Sequence, residues 1–270
     1  MVLEEILVCP VCHGELPLEE IRKQGEGSCS SCGHTYTYRD GIYDLTPVPP
    51  PDDDVLEKWT LWEKLQENGL ISYQMAPEAS CSIAGREDVI AWKQFLNLRP
   101  ESCVLDIGCG PLGAPEYLKG AVDPIGIDPL QPVIPLSGMA FVKAIGEYLP
   151  FKDSSFDSII LATSLDHVLS PQRVLSEVKR CLQPTGSVLL WLGQAAGTSL
   201  SLRFFKIGAF IVERAPFLRH LLWFKAKTEH TPDPLWQQVR RSLEVPPGAI
   251  DPYHFRALQQ NLWVIFRNLR

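Results

Sequence analysis

Residues 104–111, Val104-Leu105-Asp106-Ile107-Gly108-Cys109-Gly110-Pro111, decide the architecture. The run is apolar without alternation up to its carboxylate, which suits a strand buried on both faces. The two glycines that follow permit a tight turn whose backbone approaches a ligand closely. Asp106, at the strand end, then faces the same cleft. Residues Gly108 to Gly113 also satisfy G-x-G-x-x-G, and Asp128 ends the next strand, where a ribose hydroxyl partner belongs. Alone, that pattern is equally a dinucleotide fingerprint supporting an NAD-dependent reductase, or a plain turn.

Working toward the C-terminus, short apolar runs alternate with helical ones. Pro124–Asp128, Ala140–Val142, Ser158–Leu161 and Ser187–Leu192 read as further buried strands. Between the last two, Ser170 has the form of an N-cap, Pro171 takes the first helical position, and Val174, Leu175, Val178 and Leu182 share one face. Pro184 and Gly186 end that helix. Alternating strands and helices predict an α/β domain, Rossmann-like and doubly wound around a mostly parallel sheet.

Working toward the N-terminus, Pro47 to Asp54 (Pro-Val-Pro-Pro-Pro-Asp-Asp-Asp) is extended or turning and marks a domain boundary. Asp54 with Glu57 has the form of a capping box, and Val55, Trp59, Trp62 and Leu65 recur at helical spacing. A second helical stretch is expected over about 86–98, ending before Pro100. Ahead of the boundary, Cys9 and Cys12 sit in C-P-V-C and Cys29 and Cys32 in C-S-S-C, sixteen residues apart. Two turns presenting two thiolates each close a tetrahedral sulfur shell of the kind structural zinc prefers, with no open position for chemistry. The reading is a small β-rich zinc ribbon over 1–48, a linker and leading helical segment over 49–100, and the α/β domain over 101–270. Loss of the metal is expected to unfold mainly the ribbon, which is too small for a core of its own.

Two resemblances sharpen this. Over about ninety residues, V-L-D-I-G-C-G-P, G-I-D-P, G-E-Y-L-P-F-K-D-S-S-F-D-S-I-I, S-L-D-H-V-L-S-P and V-L-S-E-V-K-R-C-L-Q-P-T-G-S-V-L-L resemble, in order, the class I S-adenosylmethionine-dependent methyltransferases. That resemblance implies S-adenosylmethionine as cofactor, with Asp106 near the amino group of its methionine part, Gly108 and Gly110 beneath it and Asp128 on the ribose hydroxyls. It implies Gly146 and Glu147 beside the adenine pocket and Thr163 at the end of the fourth strand. The chain departs from the pattern at Ile145, where the family often carries an acidic residue. The segment Leu3–Leu45, with I-L-V-C-P-V-C, C-S-S-C-G-H-T-Y and R-D-G-I-Y-D-L, resembles the zinc-ribbon family that activates tRNA, rRNA and release-factor methyltransferases, implying a supporting role in cis.

Methyl transfer from a sulfonium is a direct displacement, so a base is needed only if the nucleophile must lose a proton. Asp166 and His167 lie just past the fourth strand, where the acceptor approaches; His167 is the candidate proton acceptor with Asp166 behind it, and equally a loop histidine packing on the next helix. Cys81, Cys103, Cys109 and Cys181 have no partner at metal spacing and read as small buried residues.

Composition bears on the acceptor. The net charge of -7 over 270 residues lacks the broad basic field that drives phosphate-backbone binding. A small-molecule, lipid-linked or otherwise hydrophobic acceptor is therefore expected ahead of rRNA or tRNA, although the ribbon-plus-methyltransferase plan loosely resembles the rRNA guanine-N1 methyltransferases. Residues 200–227 mix Phe204, Phe205, Phe210, Phe217 and Trp223 with Arg203, Lys206, Arg214, Arg219 and Lys225. They read as a helical lid within 198–250, or as a basic amphipathic surface for peripheral membrane contact or for a hydrophobic acceptor. A non-catalytic methyltransferase-like binding partner is the remaining alternative, suggested by Ile145. With no leader-like segment and no apolar run of spanning length, the protein is expected in the cytoplasm.

Overall fold

The computed structural model describes residues 3–75, 102–112, 117–118, 124–133, 138–193, 250–254 and 261–267, with positions 90, 92, 93, 96 and 98. The expected lid over 198–250, apart from residue 250, and the basic aromatic stretch over 200–227 lie outside the described residues, as do Cys81, Gly113 and most of the stretch 86–98. No helix among the described residues is long and apolar enough to cross a membrane.

The cysteine-rich segment folds as a short helix α1 (Leu3–Ile6), α2 (Leu18–Gln24) and three strands, β1 (Glu26–Ser28), β2 (Thr35–Arg39) and β3 (Ile42–Asp44). The hairpin β2–β3 turns on Asp40-Gly41, both at positive φ (53° and 82°). That geometry matches the right-handed twist of the flanking strands, which is why an Asp-Gly pair stands there. A long helix α3 (Asp53–Met75) follows the proline-rich crossing.

The parallel strands are β4 (Val104–Ile107), β5 (Ile125–Asp128), β6 (Ala140–Lys143), β7 (Phe156–Ala162) and β8 (Leu182–Gly193), with helix α4 (Pro171–Cys181) between the last two. They are completed by β9 (Ile250–His254) and β10 (Asn261–Arg267). Among the described residues these strands and the ribbon's form one sheet, in the order β1-β2-β3-β6-β5-β4-β7-β8-β10-β9. All four residues of β4 and of β5 are buried, as unbroken apolar runs require in a sheet covered on both faces. β10 runs antiparallel to β8 from Asn261↔Gly193 to Arg267↔Ser187, and β9 pairs antiparallel on its far side.

The ribbon does not stand apart from this sheet. β3 pairs parallel with β6, Tyr43 opposite Val142 and Asp44 opposite Lys143, and the Lys143 ammonium meets the Asp44 carboxylate at 2.7 Å. Beside it the Val8 N–H donates to the Pro150 carbonyl and the Lys152 N–H to that of Ile6. Ile6, Leu7, Ile21, Tyr36, Tyr43 and Leu45 share one buried apolar cluster with Ile127, Val142, Leu149, Phe151 and Phe156. A module too small for its own core thus borrows one from the sheet.

Two local expectations shift. Helix α3 begins at Asp53, with the Val55 and Leu56 N–H groups bonded to the Asp52 carbonyl, and Asp54 is turned to Arg173 at 2.9 Å instead of capping. Val55 and Trp59 are buried on that helix, whereas Leu65 is exposed. Helix α4 ends at Cys181, ahead of Pro184, and Leu182 already opens β8.

Candidate cofactor site and zinc centre

The C-terminal ends of β4 and β5 place Asp106 and Asp128 next to the glycine turn, as the crevice rule for open α/β sheets anticipates. Gly108 and Gly110 both adopt positive φ, 75° and 81°. Gly108 is tied to β5 by its N–H to the Ile127 carbonyl, and a Cβ there would come within 2.5 Å of Ser164 Cβ. At Gly110 a Cβ would meet nothing within 4 Å among the described residues. The Gly110 N–H donates to Asp128 Oδ2 at 2.9 Å and the Leu130 N–H to its Oδ1 at 2.9 Å. Asp128 is nearly buried, and burial raises its pKa to about 6 against the pull of those two N–H donors. Asp106 is wholly buried; burial raises its pKa to about 7, partly offset by the Tyr117 hydroxyl, which donates to Oδ2 at 2.8 Å. Tyr117 escaped notice in the sequence because nothing in its local spacing reports a contact back to β4.

Thr163, at the end of β7, stands at φ 56°, a conformation costly for a β-branched residue, held by its N–H on the Trp191 carbonyl. Next to it, the Ser164 hydroxyl donates to the Ile107 carbonyl and ties the β7 end to the glycine turn.

Gly146 and Glu147 do structural work in this geometry. A Cβ on Gly146 would come to 3.1 Å from Val174 and 3.2 Å from Ile107, so the glycine lets α4 close onto the sheet. The buried Glu147 carboxylate accepts from the Leu169 and Ser170 N–H groups at 2.6 and 2.9 Å. Ser170 is the extended N-cap of α4, but its side chain makes no capping bond; Glu147 fills that role from 23 residues upstream. Ile145 is explained by its surroundings: it is buried with Val55, Trp59, Tyr148 and Leu169 under α3, where an acid would be stranded.

Asp166 and His167 follow β7 as expected. His167 Nε2 stands 3.7 Å from Asp166 Oδ2, and the imidazole is half-exposed, with desolvation lowering its pKa. The His167 carbonyl accepts from Trp62 Nε1 at 2.9 Å, and the Leu169 carbonyl from Lys58 Nζ at 3.3 Å, so α3 clamps this loop. Of the remaining cysteines, Cys181 is buried, while Cys103 and Cys109 are only partly so.

In the ribbon, the sulfurs of Cys9, Cys12, Cys29 and Cys32 lie within 4.8 Å of one another. Cys9 and Cys32 are 3.5 Å apart and Cys12 and Cys29 3.6 Å. A tetrahedral shell at a Zn–S distance of about 2.3 Å has edges of about 3.8 Å, so these residues fit zinc. The two turns match each other: the His13 N–H returns to the Cys9 carbonyl and the Gly33 N–H to that of Cys29, both residues at positive φ. Burial opposes the Cys29 thiolate, yet the Cys32 and Ser31 N–H groups bring its pKa down to about 7. The Tyr36 hydroxyl stands 3.2 Å from the Cys9 sulfur as an outer support.

Comparison with known proteins agrees with this geometry. Residues 105–190 match the family described as Methyltransferase domain, and residues 3–41 the family described as Trm112p-like protein. An uncharacterized methyltransferase of Mycolicibacterium paratuberculosis is 31% identical over 123 residues, 41% of this chain and 48% of that one. Another, of Mycobacterium tuberculosis, is 32% identical over 118 residues, 39% and 46% of the two chains. The chain spans about half the length of these relatives. A Burkholderia thailandensis 1,6-didemethyltoxoflavin-N1-methyltransferase, solved with bound 1,6-didemethyltoxoflavin and S-adenosylhomocysteine, shares the fold at TM-score 0.50 and 15% identity, over 89% of this chain and 97% of that one. The chain is therefore similar to a methyltransferase domain over residues 105–190 and to a Trm112p-like protein over residues 3–41.

Proposed function

We propose that the protein transfers a methyl group from S-adenosylmethionine to a small or hydrophobic acceptor. The observation that carries the cofactor assignment is the meeting of Asp106, Gly108, Gly110 and Asp128 at the ends of β4 and β5, in a sheet whose β10 runs antiparallel between β8 and β9. The dinucleotide-binding order, 3-2-1-4-5-6, contains no such inserted strand, which weighs against a nicotinamide reductase. When bound, S-adenosylmethionine supplies an electrophilic methyl group on a sulfonium. Asp128 is then assigned to the ribose hydroxyls, Asp106 to the ammonium of the methionine part, and the turn Gly108–Gly110 to close backbone approach. Gly146 and Glu147 set the wall beside the adenine by fixing the start of α4, and Thr163 closes the end of β7.

For the acceptor, His167 is the candidate base: half-exposed, with a lowered pKa, it is neutral at pH 7 and able to take a proton. Asp166 lies close enough to stabilise the imidazolium that would form. The preference for a small or hydrophobic acceptor rests on the net charge of -7. The test is to incubate the protein and radiolabelled S-adenosylmethionine with cell extract and to separate RNA, lipid and small-molecule fractions. Label in the lipid or small-molecule fraction is expected; label confined to RNA would replace this acceptor with the rRNA or tRNA alternative.

A further inference from the structure

Asp106 is an acid with no positive neighbour among the described residues. Its Oδ2 accepts from the Tyr117 hydroxyl at 2.8 Å, while its Oδ1 is buried with no hydrogen-bond partner among the described residues. The titratable groups around it are Asp128 on β5, the Cys109 thiol in the glycine turn and Tyr117, with Tyr73 of α3 beyond Tyr117. None is a cation. Tyr117 is itself fixed, its ring edge-on to Trp92 at 6.4 Å and Trp92 tilted against Trp191 of β8 at 5.4 Å. A buried acceptor oxygen without a donor is costly and asks for an explanation, which a ligand cation supplies.

We infer that Tyr117 is a positioning residue of the cofactor site: its hydroxyl holds one oxygen of Asp106 and leaves the other for the ammonium of the methionine part of S-adenosylmethionine. This deepens the proposed function and rests on it. The hydroxyl also favours the ionised carboxylate, which burial and Asp128 both oppose. Removing it takes away orientation and charge together, and only for ligands that carry the ammonium.

The test compares calorimetric binding of S-adenosylhomocysteine, which keeps the amino-acid part, with 5′-methylthioadenosine, which lacks it, in the native protein and in Tyr117→Phe. The variant should bind S-adenosylhomocysteine about tenfold more weakly at pH 6.5, the deficit shrinking to about twofold at pH 8.5 as Asp106 ionises unaided. Asp128 titrates in both proteins, so the ratio of the two affinities isolates Asp106. Binding of 5′-methylthioadenosine should stay within about twofold at both pH values. Equal losses for both ligands, or a loss independent of pH, would make Tyr117 merely structural and overturn the inference, as would unchanged affinity for S-adenosylhomocysteine. A native protein that binds neither ligand would instead overturn the cofactor assignment itself.

Discussion

Asp106 and Asp128, assigned to the proposed cofactor site, are residues whose burial costs the fold. Asp106 is held at about 7, against about 3.9 for an unstructured aspartate. Because the folded pKa is the higher one, the folded protein binds the extra proton between those values, and stability falls as pH rises from about 4 to about 7. Above that window the full cost of the buried charge is present. Asp106→Asn should therefore stabilise the free protein at pH 8 by ~2–4 kcal/mol, with a smaller gain at pH 5, while losing cofactor binding. Urea unfolding at the two pH values checks this; equal stability of the variant and the native protein at pH 8 would show that burial of this carboxylate is not strained. Asp106, Gly108, Gly110 and Asp128 were legible in the sequence because strand ends and glycines are local signals. Tyr117 was not, since its contact to β4 is made only by the folded chain.

Helix α4 and its surroundings show the same division among elements. Its apolar face, with Val174, Leu175 and Val178 buried, and its start after Ser170 follow from spacing and from Pro171. What anchors that start is Glu147, whose carboxylate takes the Leu169 and Ser170 N–H groups across a separation no local rule spans. Hydrogen bonds to a charged group contribute about 1.5–3 kcal/mol each, so losing both in Glu147→Ala should cost ~3–6 kcal/mol. Glu147→Gln keeps an acceptor oxygen and should recover most of that loss, as read by denaturant midpoints. A Gln variant as damaged as the Ala variant would point to a role for the charge. The capping box read at Asp54 and Glu57 failed for a related reason: Arg173 on α4 offers Asp54 a stronger partner than the backbone of its own helix.

At the scale of the whole molecule, the ribbon and the sheet share strand pairing and one buried core. Composition marked the ribbon and its four cysteines, because C-x-x-C pairs are a local pattern. The parallel pairing of β3 with β6 and the shared core were not legible, since strand order is settled by tertiary packing. With that shared core, metal loss is expected to reach beyond the ribbon, where the sequence alone pointed to the ribbon. Stripping zinc with a chelator, or Cys29→Ser, should lower the melting temperature of the entire chain by ~10 °C or more in a single transition, since a structural zinc contributes several kcal/mol. Tryptophan fluorescence reports it, because Trp59, Trp92 and Trp191 all lie buried outside the ribbon. An unshifted tryptophan transition after complete zinc removal would restore the picture of two independent modules.

The function proposed for this protein rests on the crevice at the ends of β4 and β5 binding S-adenosylmethionine. Calorimetric titration of the purified protein with S-adenosylmethionine and, separately, with NAD tests it most directly. The account predicts saturable binding of S-adenosylmethionine at about one site per chain, strongly weakened in Asp128→Ala and nearly unchanged in His167→Ala, because a ribose-binding carboxylate acts on the cofactor and a base on the acceptor. NAD binding in its place, no binding of either ligand, or equal losses in the two variants would contradict it.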